Sequence, residues 1–258
     1  MGRIVAVVNQ KGGVGKTSTV VNLSAALAEL GKRVLVVDSD AQAHSCKSLG
    51  FDPTQASVSL YHILTGKVEL ADAIVHTGLE NLWLVPSETS LAATEVELAS
   101  RTGKEFILAR ALEPVLEHFD FVFVDCPPFL GILTINALVA STDVLITSAL
   151  AYLSLEGVSD LLDLIEVIND NLYLPRKVVV TGVLACIYDQ RTSISHRVYK
   201  ELERYFGDKV FDTVIPINVA INNAQTEGRP VIHYAPTSKG AAAYRRLARE
   251  VLRREHEA

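Results

Sequence analysis

An apolar run from Ile4 to Val8 passes through Gln10-Lys11-Gly12-Gly13-Val14-Gly15-Lys16-Thr17 into a helix-like stretch, Ser18 to Leu30. A glycine-rich turn between strand and helix aims backbone N–H groups at a phosphate chain, and the helix N-terminus adds positive potential. In G-x-x-x-x-G-K-[ST] the lysine reaches the β/γ-phosphates and the hydroxyl binds Mg²⁺. Lys16 and Thr17 take those roles here. Gly12, Gly13, Val14, Gly15 and Ser18 complete the cradle. The run departs from the pattern at its start, where Gln10 replaces a glycine and a second lysine, Lys11, follows.

Short apolar runs alternate with helical patterns along the rest of the chain. Strands are expected at Ile4–Val8, Val34–Val37, Leu82–Val85, Phe121–Val124, Val144–Ser148, Val178–Leu184 and Val214–Ile217. Helices are expected at Ser18–Leu30, Gly103–His118, Leu153–Asn169, Ser195–Phe206 and Lys239–Arg254. Continuous Val/Ile/Leu/Phe runs suit strands covered by helices on both faces, so the expected fold is α/β, a doubly wound, mostly parallel sheet. Neither a linker nor an internal repeat interrupts 1–258, which reads as one domain. Ligands in such sheets bind beyond the carboxyl ends of the strands.

Two acidic segments stand at such ends. Val34–Val37 runs into Asp38-Ser39-Asp40-Ala41-Gln42, and Phe121–Val124 runs into Asp125-Cys126-Pro127-Pro128. An aspartate closing a strand beside a phosphate loop holds Mg²⁺ through water, the role expected of Asp125. The two prolines stiffen the loop behind it and have no N–H for a ladder.

Bulk properties narrow the class. A chain of 258 residues that is 49% hydrophobic and 21% charged is an ordinary globular protein. The net charge of −6 is unevenly spread: residues 1–185 carry 12 basic and 21 acidic side chains (−9), residues 186–258 carry 12 and 9 (+3). A basic C-terminal third is compatible with a local nucleic-acid patch. Cys46, Cys126 and Cys186 show no metal-ligand spacing and read as reduced thiols. Met1-Gly2-Arg3 leads straight into a strand, with no leader pattern. The apolar stretch Ala137 to Leu155 carries Asp143 and several hydroxyls, and reads as helix end, strand and loop.

The loop with its early Lys11 resembles the deviant phosphate loop of the ParA/MinD superfamily of partition and positioning ATPases. The likeness extends over nearly the whole chain. Asp38-Ser39-Asp40-Ala41-Gln42 resembles the family's first switch, Leu133–Leu138 follows the second, and Tyr188–Thr192, Val210–Pro216 and Ser238–Ala241 look like its C-terminal signature. The resemblance implies a cytoplasmic ATPase using ATP and Mg²⁺, slow and partner-stimulated. It implies a homodimer with ATP between the subunits, Lys11 crossing to the partner's nucleotide and Asp40 positioning the attacking water. Thr17 and Asp125 hold the metal, Asp38 supports that metal shell or the loop, and Pro216 and Asn218 lie at the adenine. Ala41 replaces the family's usual proline, and His44, expected as a solvated loop residue, replaces an asparagine.

Partition relatives bind DNA nonspecifically in the ATP state, which would place the chain on the nucleoid. Arg191 matches a family DNA contact, whereas Ile217 and Ala220 stand where arginines are common. Nearby cations offer replacements: Arg197, Lys200, Arg204, Arg229, Lys239, Arg245 and Arg246. A ParB-like protein or a cargo adaptor would trigger hydrolysis. Three alternatives remain: a membrane-cycling MinD-like ATPase, an electron carrier like the nitrogenase iron protein, and a nucleotide-gated regulator with little turnover. The first needs a membrane anchor. The C-terminal helix lacks Trp or Phe anchors and is expected to pack on the domain, so no membrane partner is expected.

Overall fold

A computed structural model describes residues 2–149 and 156–255. Seven strands form one sheet: β1 (Arg3–Val8), β2 (Val34–Asp38), β3 (Val75–His76), β4 (Leu82–Val85), β5 (Phe121–Asp125), β6 (Asp143–Ala149) and β7 (Val180–Cys186). Their order is β3-β4-β2-β5-β1-β6-β7, and every pairing is parallel except β3 with β4. Alternate side chains of each strand enter opposite layers. Ile4, Ala6 and Val8 join the layer of helices 107–112, 132–140 and 193–206. Val5 and Val7 join the layer of helices 16–29, 219–226 and 239–255. The doubly wound expectation holds.

The Lys16–Glu29 helix is buried along most of its length and packs against Lys239–Glu255 through Leu23, Leu27, Tyr244, Leu247 and Ala248. The C-terminal helix thus spends its apolar face on the domain. Among the described residues no helix is long and apolar enough to cross a membrane.

Several expectations need correction. Val214–Ile217 forms no strand. Pro216 has no N–H, and the segment runs beside the end of β7 and Tyr188 through isolated bonds: Ile215 N–H to the Ala185 carbonyl at 2.9 Å, Tyr188 N–H to the Ile215 carbonyl at 2.9 Å and Ile217 N–H to the Tyr188 carbonyl at 3.1 Å. The helix expected over Gly103–His118 is an α-helix only at Ile107–Leu112, with 3-10 turns at Lys104–Phe106 and Glu113–His118, the second containing Pro114. The two-residue β3 is too short to leave a periodic pattern. The helix expected from Leu153 is described over Glu156–Asn171, and Leu153 to Leu155 lie outside the described residues.

Register fixes the site. Val7 pairs with Asp125, and Asp38 pairs with Asp125. The phosphate loop and both acidic segments therefore leave the sheet side by side.

Candidate nucleotide site

Gly15 caps the Lys16–Glu29 helix with φ 91°, a left-handed conformation, and a Cβ there would sit 3.2 Å from the Cys186 side chain. Gly12 and Gly13 face open space, with no atom within 4 Å of an added Cβ. They line a cavity of about 710 Å³ together with Gly15, Lys16, Thr17 and Ser18. The Lys16 side chain is 7% exposed, and its Nζ donates to the Lys11 carbonyl at 2.8 Å. Burial lowers its pKa from the ordinary lysine value, against the pull of Asp125. A phosphate oxygen entering the cradle offers this ammonium a better acceptor than a carbonyl.

Thr17 Oγ1 and Ser45 Oγ both donate to Asp125 Oδ2 at 2.8 Å. Asp125 is fully buried and its Oδ1 has no hydrogen-bond partner. Burial, then the Asp38 carboxylate beside it, pushes its pKa up. An orphaned carboxylate oxygen next to a threonine hydroxyl is what a hydrated Mg²⁺ uses, so Thr17 and Asp125 fit the ion. Among the described residues no cluster of three or more His, Cys, Asp or Glu side chains could hold a metal. Phosphates and water would thus supply the other ligands.

Asp38 does something else. Its Oδ1 accepts the Asp40 N–H at 3.2 Å and its Oδ2 the Cys46 N–H at 2.9 Å. Both oxygens organise the first switch loop, the loop-supporting alternative of the two roles expected for Asp38. Burial raises its pKa as well. Asp40 lines the cavity, its Oδ1 accepting from Gln42 N–H at 2.9 Å. His44 opens the short helix His44–Ser48 and lies exposed on the cavity wall, so it is more than the solvated loop residue expected. Lys11 is not among the residues lining the cavity; Asn9 Oδ1 accepts its N–H at 2.9 Å.

The far end of the cavity was only half anticipated. Asn218 lines it, and its Oδ1 caps the Val219–Thr226 helix by accepting from Ala220 N–H at 3.1 Å. Pro216 does not line it. It lines a neighbouring groove of about 590 Å³ with Arg191, Lys239 and Arg246. Sequence reasoning missed Ile187, Tyr244 and Gln225 on the cavity wall. Tyr244 reads as one more apolar position of a core helix. Ile187 has φ 56°, an unusual value for a β-branched residue that no sequence pattern marks.

The expected DNA contacts divide. Arg191 projects with its side chain 86% exposed, paired to Asp189 at 2.9 Å. Arg197 and Lys200 are exposed on the Ser193–Phe206 helix, and Lys239 is exposed at the groove. Arg245 is tied into the fold: it grips Glu29 at 2.7 and 2.9 Å and the Pro236 carbonyl at 2.7 Å, joining the first and last helices. A second cavity of about 660 Å³, beside the Arg33–Asp120 pair, is not lined by any residue of the phosphate loop.

A strand-loop-helix phosphate cradle, a threonine–aspartate pair and a second acidic switch define a phosphate-loop ATPase. A family profile described as an AAA domain matches residues 2–177. The chain is 44% identical to the Bacillus subtilis sporulation initiation inhibitor protein Soj, covering 97% of this chain and 98% of that one. It is 40% identical to the Caulobacter vibrioides chromosome partitioning protein ParA, covering 99% and 96%. A Mycobacterium smegmatis protein named cobyrinic acid a,c-diamide synthase, solved with ADP and magnesium, superposes with a TM-score of 0.85 at 38% identity, covering 98% and 95%. The chain belongs to the ParA/Soj family of partition ATPases.

Proposed function

We propose that the chain is an ATP-controlled dimeric switch that holds nonspecific DNA in its ATP state and releases it on hydrolysis. The observation that carries this reading is the division of labour between two lysines. Lys16 is buried at the cradle, while Lys11, five residues earlier, is not a lining residue of its own chain's cavity. A second subunit facing the cavity gives Lys11 a nucleotide to touch.

In this reading the loop N–H groups and Lys16 bind the β/γ-phosphates, while Thr17 and Asp125 hold the metal. The chemistry supplied by bound magnesium is neutralisation of charge on those oxygens. Asp40, held by Asp38 and Ser87, orients the attacking water. Transfer of a phosphoryl group to water needs positioning and charge stabilisation rather than a covalent group, so this small set suffices. Arg191, Lys239 and Arg246 around one groove supply phosphate contacts that Ile217 and Ala220 do not. A ParB-like or cargo-adaptor partner accelerates an otherwise slow turnover, in the cytoplasm on the nucleoid.

Turnover of wild type and Asp40→Ala, measured with Mg²⁺ and duplex DNA, tests the reading. An Asp40→Ala rate at least roughly tenfold lower supports it. Equal rates remove Asp40 from the reaction, and DNA binding that ignores ATP removes the switch.

A further inference from the structure

The stretch from Ser87 to Leu98 belongs to neither switch loop, yet it is bonded to both. At its start, Ser87 Oγ donates to the Asp40 carbonyl at 2.6 Å, and Ser87 N–H donates to Cys46 Sγ at 3.3 Å. At its end, Glu95 Oε1 accepts the Ile132 N–H at 2.8 Å. Ile132 opens the helix Ile132–Ala140, whose N-cap, Gly131, offers no side chain. A Cβ on Gly131 would collide with the Glu95 carboxylate, so this side chain lies directly against the backbone where the loop after Asp125 ends. Inside that loop, Phe129 lines the cavity and its carbonyl accepts from Thr134 Oγ1 at 2.7 Å. Between the two ends, the turn Thr89–Ala93 and the helix Thr94–Glu97 are pinned by Leu91, Thr94 and Leu98, none more than 2% exposed.

A helix's first N–H groups lack intrahelical partners, and a carboxylate placed there makes a charge-assisted bond that the dipole favours. A short strap packed into the core passes displacement from one end to the other, because packed segments shift between discrete arrangements rather than stretch. We propose that Glu95 is a positioning residue for hydrolysis. Through the Ser87–Leu98 strap it keeps the loop after Asp125 in register with the loop bearing Asp40, so that both answer the γ-phosphate as one unit. The inference rests on the reading of Asp40 given above.

Single-turnover hydrolysis of the full chain with Mg²⁺ tests it, beside ADP affinity and thermal melting. Glu95→Ala slows hydrolysis roughly tenfold while ADP affinity changes less than about threefold. Glu95→Gln keeps an acceptor at the helix terminus and stays within about threefold of wild type. Ser87→Ala slows the reaction too, and the double variant Ser87→Ala/Glu95→Ala is no slower than about threefold below the slower single, as residues acting through one strap require. If Glu95→Ala melts below the assay temperature, Ser87→Ala carries the same expectation. Wild-type rates in both alanine variants, ADP affinity lost in step with rate, or fully additive losses overturn the proposal. Asp40→Ala turning over at the wild-type rate instead brings down the hydrolytic reading beneath it.

Discussion

The two ends of the nucleotide cavity are built differently. At the phosphate end, Thr17 and Ser45 both donate to Asp125 at 2.8 Å, Asp38 stands beside Asp125 in strand register, and Lys16 Nζ bonds back to the Lys11 carbonyl at 2.8 Å; Lys16, Asp38, Ser45 and Asp125 are buried. At the other end, Ile187, Asn218, Gln225 and Tyr244 come from separate elements, and the chain between β7 and the Val219–Thr226 helix pairs only by isolated bridges. A phosphate chain is the same in every nucleotide, so a fixed backbone cradle suits it. A base and a polyanionic surface are met by side chains that different elements supply.

The largest expected effect lies at the phosphate end. Lys16→Ala removes the only lysine that lines that cavity among the described residues and should cut turnover by roughly a thousandfold, read by phosphate release at saturating ATP. Retention of rates within about tenfold would break the contrast between a preorganised and a distributed end.

Asp125→Asn separates function from stability. Burial raises the folded pKa of Asp125, so the folded state binds a proton that the unfolded state releases first, and folding loses stability as pH rises through that interval. At neutral pH the charged carboxylate therefore opposes folding. Asn should raise the melting temperature of the nucleotide-free protein by a few degrees, about 1 kcal/mol, while turnover falls about a hundredfold. A lower melting temperature would contradict the burial argument.

At the distributed end, effects should be graded. Arg191→Ala, Lys239→Ala and Arg246→Ala together should weaken duplex binding about tenfold or more and flatten its salt dependence by roughly one unit of slope per lost contact, with turnover unchanged. Arg245→Ala should leave DNA binding alone. Its pair with Glu29 is partly exposed, 26% and 42% at the two side chains, so the stability loss should stay under about 1 kcal/mol in a thermal melt. A DNA defect there would return Arg245 to the DNA-contacting set.

The same contrast explains what the sequence disclosed. Gly12 to Thr17 and Asp125 were legible because strand-loop-helix spacing and a strand-terminal carboxylate encode their geometry locally. For Asp38 the metal shell and the loop both stayed open, because strand position shows where a carboxylate begins, not which N–H groups, here those of Asp40 and Cys46, will bond to it. The structural tie of Arg245 was not legible because its partner Glu29 lies 216 residues away. Pro216 was assigned to the base by likeness, but its missing N–H breaks the edge pairing and the segment turns it toward the cation groove. Ser87 and Glu95 left no signal, since only the fold brings them to two loops at once.

The central claim is that nucleotide binds between two copies of the chain, with Lys11 contacting the other copy's phosphates. Sedimentation velocity with Mg²⁺ and a non-hydrolysable ATP analogue tests it most directly. Wild type should shift from monomer to dimer with the analogue and not with ADP. Lys11→Ala should bind the analogue yet remain monomeric at concentrations about tenfold above the wild-type midpoint. A Lys11→Ala protein that dimerises like wild type, or a wild type that ignores the analogue, would contradict the account.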